Sequence, residues 1–142
     1  MADTEATREV IKAYYDALRK GDRDALLELL AEDCEWLPPP GAPIEAIKGG
    51  AALADALGRN VVKTTFDLSK PFNLEVRRVL ADGNIAVVQQ RLTATAKATG
   101  LPYDNQYCWV YEVNDGRIVH MEEYADTLIA SRAMGWADTG GQ

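Results

Sequence analysis

The sequence contains few of the residues that build metal sites, disulfide frameworks and redox motifs. It has one histidine, His120, and two cysteines, Cys34 and Cys108, which lie far apart without Cys-x-x-Cys or Cys/His spacing. Two buried free thiols are therefore a simpler interpretation than a metal or redox site. The sequence also has no Gly-rich phosphate-binding loop. We expect no metal, no nucleotide and no other cofactor.

Positive charge and long apolar runs are scarce as well. Fifteen Lys and Arg residues stand against twenty-two Asp and Glu, and the net charge of -7 repels nucleic acid and anionic membranes. No apolar run approaches the length of a bilayer span, and the first ten residues are polar and acidic rather than a signal peptide. These features predict a cytoplasmic protein whose partners include neither nucleic acid nor a membrane.

The composition itself is that of an ordinary globular protein. The chain has 142 residues, of which 47% are hydrophobic and 26% are charged. That length supports one hydrophobic core and is too short for two domains, so we expect a single domain over residues 1–142.

The first half of the chain shows the apolar spacing of helices. This spacing predicts an amphipathic helix over residues 4–20 that ends at Gly21, a short helix over 23–30 capped by Asp22, and a third helix from 51 to about 62. A short strand is expected over residues 34–37, because the prolines at 38–40 cannot continue a ladder.

From Phe72 onward the period changes to that of strands, with turn signals at residues 81–84 and 99–102. A final helix is expected over 127–134, and residues 138–142 should be loose. Helices followed by a run of strands predict an α+β fold, in which helices cover one face of an antiparallel sheet.

Residues 105–126 predict a hairpin. A three-residue loop over 114–116 pairs Val113 with Arg117. On one face of the sheet this register places Trp109 opposite Met121 and Tyr107 opposite Glu123. A two-residue loop over 115–116 would shift every partner by one and turn the other face of the first strand toward the core. We favour the three-residue loop.

Glu123 is the first candidate for a functional residue. A carboxylate on an otherwise apolar sheet face is costly unless it is paired or solvated. By alternation His120 and Glu122 point to the opposite face, so we expect His120 on the outer face of the sheet rather than as a catalytic base. Asp126 is expected to cap the last helix rather than to act in catalysis.

Two segments carry a family resemblance: YYDALRKGDRDALLELLAEDCEW near the start and GRIVHMEEYADT near the end. Over residues 5–130 the chain resembles the nuclear transport factor 2-like superfamily, and within it the SnoaL-like and ketosteroid-isomerase-related group. The resemblance implies a cone-shaped, cystatin-like α+β barrel. In this fold N-terminal helices pack on a curved, mixed but mainly antiparallel sheet that encloses a cavity. It also implies a homodimer packed through the outer sheet face, where we expect Cys108, Val110 and His120.

The resemblance also implies roles for single residues. Relative to ketosteroid isomerase, Tyr14 falls on the oxyanion-donating tyrosine, although a core tyrosine is the alternative. Pro38 and Trp109 fall on the two acids of that site, so steroid isomerisation itself is not implied. Relative to limonene-epoxide hydrolase, Arg91 and Glu123 fall on a charged pair, while Thr93 replaces the aspartate.

The orientation of Arg91 is open at this stage. Strand periodicity sends Arg91 outward, whereas the family alignment sends it inward, together with Gln89 and Thr93, to form a polar cavity wall. Inside, Arg91 would form a buried pair with Glu123. Outside, it would be a solvated arginine.

We therefore expect Glu123, Arg91 and Tyr14 as catalytic residues around a small apolar ligand. The expected substrate-binding residues are Trp36, Phe66, Gln89, Thr93, Tyr107, Trp109 and Met121. Such a site fits a cofactor-independent acid/base enzyme of the isomerase, dehydratase, cyclase or epoxide-hydrolase type. The alternative is a non-catalytic module that binds a ligand or a protein.

Overall fold

The computed structural model describes residues 3–136, except the side chains of residues 59–61. The helices are α1 (Thr4–Lys20), α2 (Arg23–Leu29), α3 (Gly50–Asp55), α4 (Val61–Thr65) and α5 (Thr127–Met134), and a π-helical turn, Ala56–Asn60, joins α3 to α4. The strands are β1 (Leu30–Leu37), β2 (Ile47–Lys48), β3 (Asn73–Asp82), β4 (Ile85–Thr95), β5 (Pro102–Asn114) and β6 (Arg117–Ala125). The segment predicted to be loose, 138–142, lies outside the described residues.

The six strands form one mixed, unclosed sheet in the order β2-β1-β6-β5-β4-β3. Only the β1–β6 pair is parallel among the described strands. The helices cover one face, and the main core lies between them and the sheet around Ile11, Leu26, Leu53 and Ile118. The predicted α+β class, with a mainly antiparallel sheet, is confirmed. No helix in residues 3–136 has both the length and the apolar character that a bilayer span requires.

Local capping signals explain where the helices begin and end. The Asp3 side chain accepts hydrogen bonds at the start of α1, and Gly21 ends this helix in the left-handed conformation. Asp22 caps α2, and Asp126 caps α5 by accepting from the Leu128 and Ile129 amides. The predicted bounds of α1 and α5 are confirmed, whereas β1 begins four residues earlier than predicted and cuts α2 short at Leu29.

The predicted third helix is interrupted. It begins at Gly50, where a Cβ atom would lie 2.5 Å from the Ala31 carbonyl oxygen, so only glycine lets α3 approach β1 this closely. The helix then widens into the π-helical turn before α4. Leu57, in this turn, reaches the pockets described below.

The predicted three-residue hairpin loop is wrong. Asp115 and Gly116 both have positive φ, 51° and 77°, and form a two-residue turn that pairs Asn114 with Arg117. The ladder then shifts between Glu112 and Val113, which leaves one extra residue on β6. The observed pairs are Tyr107 with Ala125, Trp109 with Glu123, and Tyr111 with Met121. The shorter turn shifts the pairing by one residue and the bulge shifts it by one more. Because side chains alternate between the two faces, a total shift of two residues leaves the predicted set of side chains facing the core.

Candidate active site

Three adjoining pockets lie on the helix-covered face of the sheet. We call them the α1 pocket (about 290 Å³), the central pocket (about 140 Å³) and the α5 pocket (about 200 Å³). The central pocket shares Leu57, Gln90 and Trp109 with the α1 pocket. It shares Trp36, Tyr107 and Glu123 with the α5 pocket, and Phe66 lines all three.

Glu123 lies on β6 at the junction of the central and α5 pockets and is partly buried. The Trp36 indole nitrogen donates a hydrogen bond of 3.1 Å to its Oε1. Among the described side chains no cation forms an ion pair with this carboxylate. Burial raises the pKa of Glu123 to about 7, and the hydrogen bond from Trp36 offsets part of that rise.

Arg91 does not pair with Glu123. Its guanidinium donates to Asp104 through two bonds of 2.8 and 2.6 Å, and both side chains are about half exposed on the opposite face of the sheet. Of the two orientations left open by the sequence, the outward one is observed, and the predicted catalytic role of Arg91 beside Glu123 is wrong. Gln89 and Thr93, predicted as cavity wall, lie on that outer face too, because β4 pairs with β5 without a bulge and its alternation is unbroken. Strand periodicity decided this orientation, against the family alignment.

The other predicted substrate-binding residues fall into two groups. Trp36, Phe66 and Tyr107 line both pockets that contain Glu123, and Trp109 lines the central one. Met121, also predicted as a pocket residue, has no exposed surface and packs in the core.

Tyr14 is 1% exposed and lines the α1 pocket, where its ring meets Tyr15 and Tyr111 edge-on with centroids 5.3 and 5.6 Å away. Burial raises the pKa of its phenol well above the usual range. Tyr14 thus does not line either of the two pockets that contain Glu123. The three predicted catalytic residues are not brought together.

Sequence reasoning missed a buried polar network. The Tyr15 hydroxyl donates to Gln90 Oε1 at 3.0 Å and lies 2.7 Å from the Tyr111 hydroxyl. Because a phenol has one hydrogen, Tyr111 must donate to Tyr15. Gln90 could have been found from its position, since it is the polar member of the inward-facing set Val88, Gln90 and Leu92.

Trp109 was predicted to line the site, but one feature of its side chain was not anticipated. Its indole nitrogen is the one buried side-chain nitrogen or oxygen without a hydrogen-bond partner in the described part of the chain. The ring stacks on Tyr111 with centroids 5.8 Å apart and an interplanar angle of 4°. An unpaired buried donor costs about 1–3 kcal/mol, so this group needs an explanation.

A second hydrogen-bonded group holds Tyr107 at the α5 pocket. Its hydroxyl contacts that of Tyr103, which accepts from Asn105 Nδ2 at 2.9 Å. Asn105 is 1% exposed and also donates to the Asp126 carbonyl oxygen, so the group links β5 to the start of α5.

His120 lies on the outer face, as predicted. Its Nε2 lies 3.1 Å from Glu122 and its Nδ1 lies 3.7 Å from Glu35. Tyr124 donates to the other Glu122 oxygen, and the bonds from His120 and Tyr124 lower the Glu122 pKa. Among the described residues no cluster of His, Cys, Asp or Glu has the arrangement of a metal site.

Comparison with known proteins identifies the family. The family model described as "SnoaL-like domain" matches residues 11–121. The chain belongs to this SnoaL-like family. The SnoaL-like chain is 26% identical over 141 residues to the uncharacterized protein YesE of Bacillus subtilis, covering 95% of this chain and 91% of YesE.

Solved structures of an NTF2-like protein and of a putative ketosteroid isomerase have the same fold. An NTF2-like protein from Burkholderia xenovorans superimposes with a TM-score of 0.79 at 25% identity, covering 94% of this chain and 99% of that one. A putative ketosteroid isomerase from Kribbella flavida gives 0.69 at 28% identity, with coverages of 89% and 82%. The predicted resemblance to the nuclear transport factor 2-like superfamily is confirmed.

Proposed function

We propose that this SnoaL-like protein is a cofactor-independent acid/base enzyme that moves a proton within a small apolar substrate. The single observation that carries the proposal is Glu123, a partly buried carboxylate between two pockets whose pKa burial raises to about 7. A general acid or base works best when its pKa lies near the working pH. Glu123 would then accept a proton in one step and return it in another.

The surroundings of Glu123 favour a substrate that is mostly apolar. Apart from the carboxylate, the central pocket is walled mainly by aliphatic and aromatic side chains, namely Trp36, Ile47, Leu53, Leu57, Phe66, Leu92, Tyr107 and Trp109. Such walls bind hydrocarbon surface and leave orientation to a few polar groups. A ketone or a hydroxy compound of modest size fits this description.

The geometry favours isomerisation or dehydration over epoxide hydrolysis. The limonene-epoxide hydrolase arrangement would need Arg91 beside Glu123, and Arg91 is engaged with Asp104 on the outer face. A lone carboxylate that shuttles one proton is sufficient for isomerisation. The similarity to a putative ketosteroid isomerase at 28% identity agrees with this choice.

Exchange of carbon-bound hydrogen tests the proposal without knowledge of the natural substrate. The protein is incubated in D₂O with simple ketones such as acetophenone and 2-cyclohexenone, and NMR follows the loss of the protons next to the carbonyl. We expect catalysed exchange with the wild type and only the buffer rate with Glu123→Gln. The matched control is Glu75→Gln, an exposed carboxylate on the outer face of β3. Exchange by Glu123→Gln at the wild-type rate would remove Glu123 from the mechanism.

A non-catalytic binding module is the second candidate. It is favoured because the three predicted catalytic residues do not share one pocket: Arg91 lies on the outer face, and Tyr14 lines a different pocket from Glu123. This candidate predicts that apolar ligands raise the melting temperature of the protein. It also predicts that none of the ketones tested undergoes catalysed hydrogen exchange or turnover. Exchange above the buffer rate that depends on Glu123 excludes it.

We also propose that two copies pair through the outer sheet face. This face exposes Leu80 and Tyr124, at 56% and 45%, beside the partly buried Cys108 and Val110. Apolar surface on a sheet is commonly covered by a second subunit, and a two-fold dimer does so with one self-complementary patch.

A further inference from the structure

We propose that the side-chain amide nitrogen of Gln90 binds a neutral carbonyl or ether oxygen that lies apart from the reacting group of the substrate. The substrates of this site are then elongated apolar compounds with an oxygen in the middle of the molecule. The inference rests on the proton transfer proposed for Glu123 and names the substrate class of that site. Gln90 determines specificity in this scheme and takes no part in the proton transfer.

The first observation is an unused hydrogen-bond donor inside the protein. Gln90 is 7% exposed, and its carbonyl oxygen accepts from the Tyr15 hydroxyl at 3.0 Å. Its amide nitrogen has no hydrogen-bond partner among the described residues. In the same part of the chain, the one unpaired side-chain nitrogen or oxygen that is inaccessible belongs to Trp109. The Gln90 donor is therefore open to a ligand, whereas the Trp109 donor is not.

The second observation is the orientation of the Gln90 amide. Tyr111 donates to Tyr15, and Tyr15 donates to the carbonyl oxygen of Gln90. The oxygen and nitrogen of a carboxamide point in different directions, so holding the oxygen at Tyr15 turns the NH₂ group away from α1. An NH₂ group of this kind only donates, so its partner must bring an acceptor.

The third observation is the position of Gln90 between two pockets. It lines both the α1 pocket, of about 290 Å³, and the central pocket, of about 140 Å³. A ligand that extends from one pocket into the other passes its amide. The wall of the α1 pocket around it is apolar and includes Phe66, Phe72, Leu74 and Leu92. An apolar substrate longer than the central pocket fits this arrangement.

Gln90 and Glu123 do not act on the same functional group. They lie on β4 and β6, with β5 between them, so about 10 Å separates their backbones across the sheet. Their side chains also point to different neighbours, because Glu123 accepts from Trp36 on β1 and Gln90 accepts from Tyr15 on α1. A carbonyl oxygen and the C–H bond next to it are too close together to span this distance. Gln90 therefore contacts an oxygen other than that of the reacting group.

The acceptor at Gln90 is expected to be uncharged. A carboxylate at this depth would lose its hydration, which is costly unless a cation replaces it. The cations among the described residues of the α1 pocket are Arg19 and Lys20, and both are exposed. Arg19 also lies 3.7 Å from the carboxylate of Asp16. A neutral oxygen gains the Gln90 hydrogen bond without the loss of a full hydration shell.

The test compares benzophenone with 1,1-diphenylethylene, in which a CH₂ group of similar shape replaces the carbonyl oxygen. Calorimetry gives the dissociation constants for the wild type, Gln90→Met and Gln89→Met. We expect the wild type to prefer the ketone and Gln90→Met to bind it about three- to tenfold more weakly, the loss of one hydrogen bond, with unchanged alkene binding. Gln89→Met is the matched control, because the neighbouring Gln89 is exposed on the outer face and its replacement should leave both constants unchanged.

Three results would overturn the assignment: an unchanged ketone preference in Gln90→Met, an equal loss for ketone and alkene, or no saturable binding of benzophenone to the wild type. If Gln90→Met does not fold, NMR of the wild type with ¹⁵N-labelled glutamine side chains gives the answer. The Gln90 signal is assigned by elimination from substitutions of Gln89, Gln106 and Gln142. Benzophenone should shift the Gln90 amide protons more than the alkene does, and equal shifts would refute the contact.

Failure of the Glu123 proposal is seen separately. Benzophenone has no hydrogen on the carbons next to its carbonyl, so its binding involves no proton transfer. Glu123→Gln should keep the ketone preference whether or not Glu123 is a base. The exchange experiment with acetophenone reports on Glu123, and the preference for benzophenone reports on Gln90.

Discussion

The Trp36 indole donates a hydrogen bond to Oε1 of Glu123, which links β1 to its parallel neighbour β6 within the pocket wall. This bond favours the ionised carboxylate, while burial favours the neutral acid. Burial is the larger effect, and the balance leaves the Glu123 pKa at about 7. The proton affinity of the candidate base is therefore set by one tryptophan and by the apolar walls.

Trp36→Phe should raise the pKa of Glu123 above its wild-type value of about 7. Hydrogen bonds to charged groups contribute about 1.5–3 kcal/mol, so a rise of roughly one to two pKa units is expected. NMR of protein labelled with ¹³C at glutamate carboxyls measures it, with the Glu123 signal assigned from Glu123→Gln. Trp109→Phe is the control, since that indole has no bond to Glu123. An unaltered titration midpoint in Trp36→Phe would contradict the prediction.

Glu123→Gln should stabilise the protein at neutral pH. The folded-state pKa of about 7 lies above the ordinary 4.5, so the folded protein holds this proton more tightly than the unfolded chain. The stability this contributes is complete below about pH 4.5 and is lost as the pH rises through about 7, a loss of roughly 3 kcal/mol.

Glutamine does not titrate. The free energy of unfolding of Glu123→Gln should therefore increase relative to that of the wild type as the pH rises across this window. Urea denaturation at about pH 5 and pH 8 measures the difference. Glu75→Gln, with an exposed carboxylate, should show no such gain. Parallel pH dependences of the wild type and Glu123→Gln would rule out a raised pKa.

Arg91→Ala should have little effect on stability. Arg91 and Asp104 have exposed fractions of 46% and 54%, and ion pairs of this kind contribute about 0–1 kcal/mol. A double-mutant cycle with Asp104→Ala should give a coupling energy in that range that falls with added salt. A salt-insensitive loss of about 3–5 kcal/mol would instead indicate a buried partner.

Tyr15→Phe should cost more stability than Tyr111→Phe. The Tyr15 hydroxyl stands between Gln90 and Tyr111, so removing it leaves two buried groups without their partner in the network. Removing the Tyr111 hydroxyl takes away only the hydrogen bond that the Tyr15 oxygen accepts. We expect losses of about 2–3 kcal/mol and about 1 kcal/mol from denaturant unfolding of the two variants. The reverse order would show that Tyr15 is not the central member of this network.

The proposed dimer predicts twice the chain mass at micromolar concentration. Light scattering coupled to size-exclusion chromatography measures it. Val110→Lys places a charge in the centre of the outer face and should yield monomers, while Lys12→Glu on the exposed side of α1 should leave the dimer intact. A wild type with monomer mass would end this proposal.

The sequence by itself determined the local structure and the side chains that face the core. Asp3, Asp22 and Asp126 cap helices through bonds that span two or three residues, so they act wherever these short segments occur. The alternation in β4 likewise placed Gln90 inside and Arg91 outside, since a strand without a bulge cannot present neighbours to one face. Alternation in the hairpin of residues 105–126 likewise indicated that Glu123 lies on the core face of the sheet.

Tertiary structure decided the hairpin register and the partners of the site residues. The bulge in β6 compensates for the two-residue turn, because the second one-residue shift returns Trp109 and Met121 to the core face, and no local residue pattern marks it. Tyr15 and Gln90 are 75 positions apart, and Trp36 and Glu123 are 87 apart. Such contacts depend on how all the elements pack together. The unpaired indole N–H of Trp109 depends on the same packing, because it is identified only when the positions of all neighbouring side chains are known.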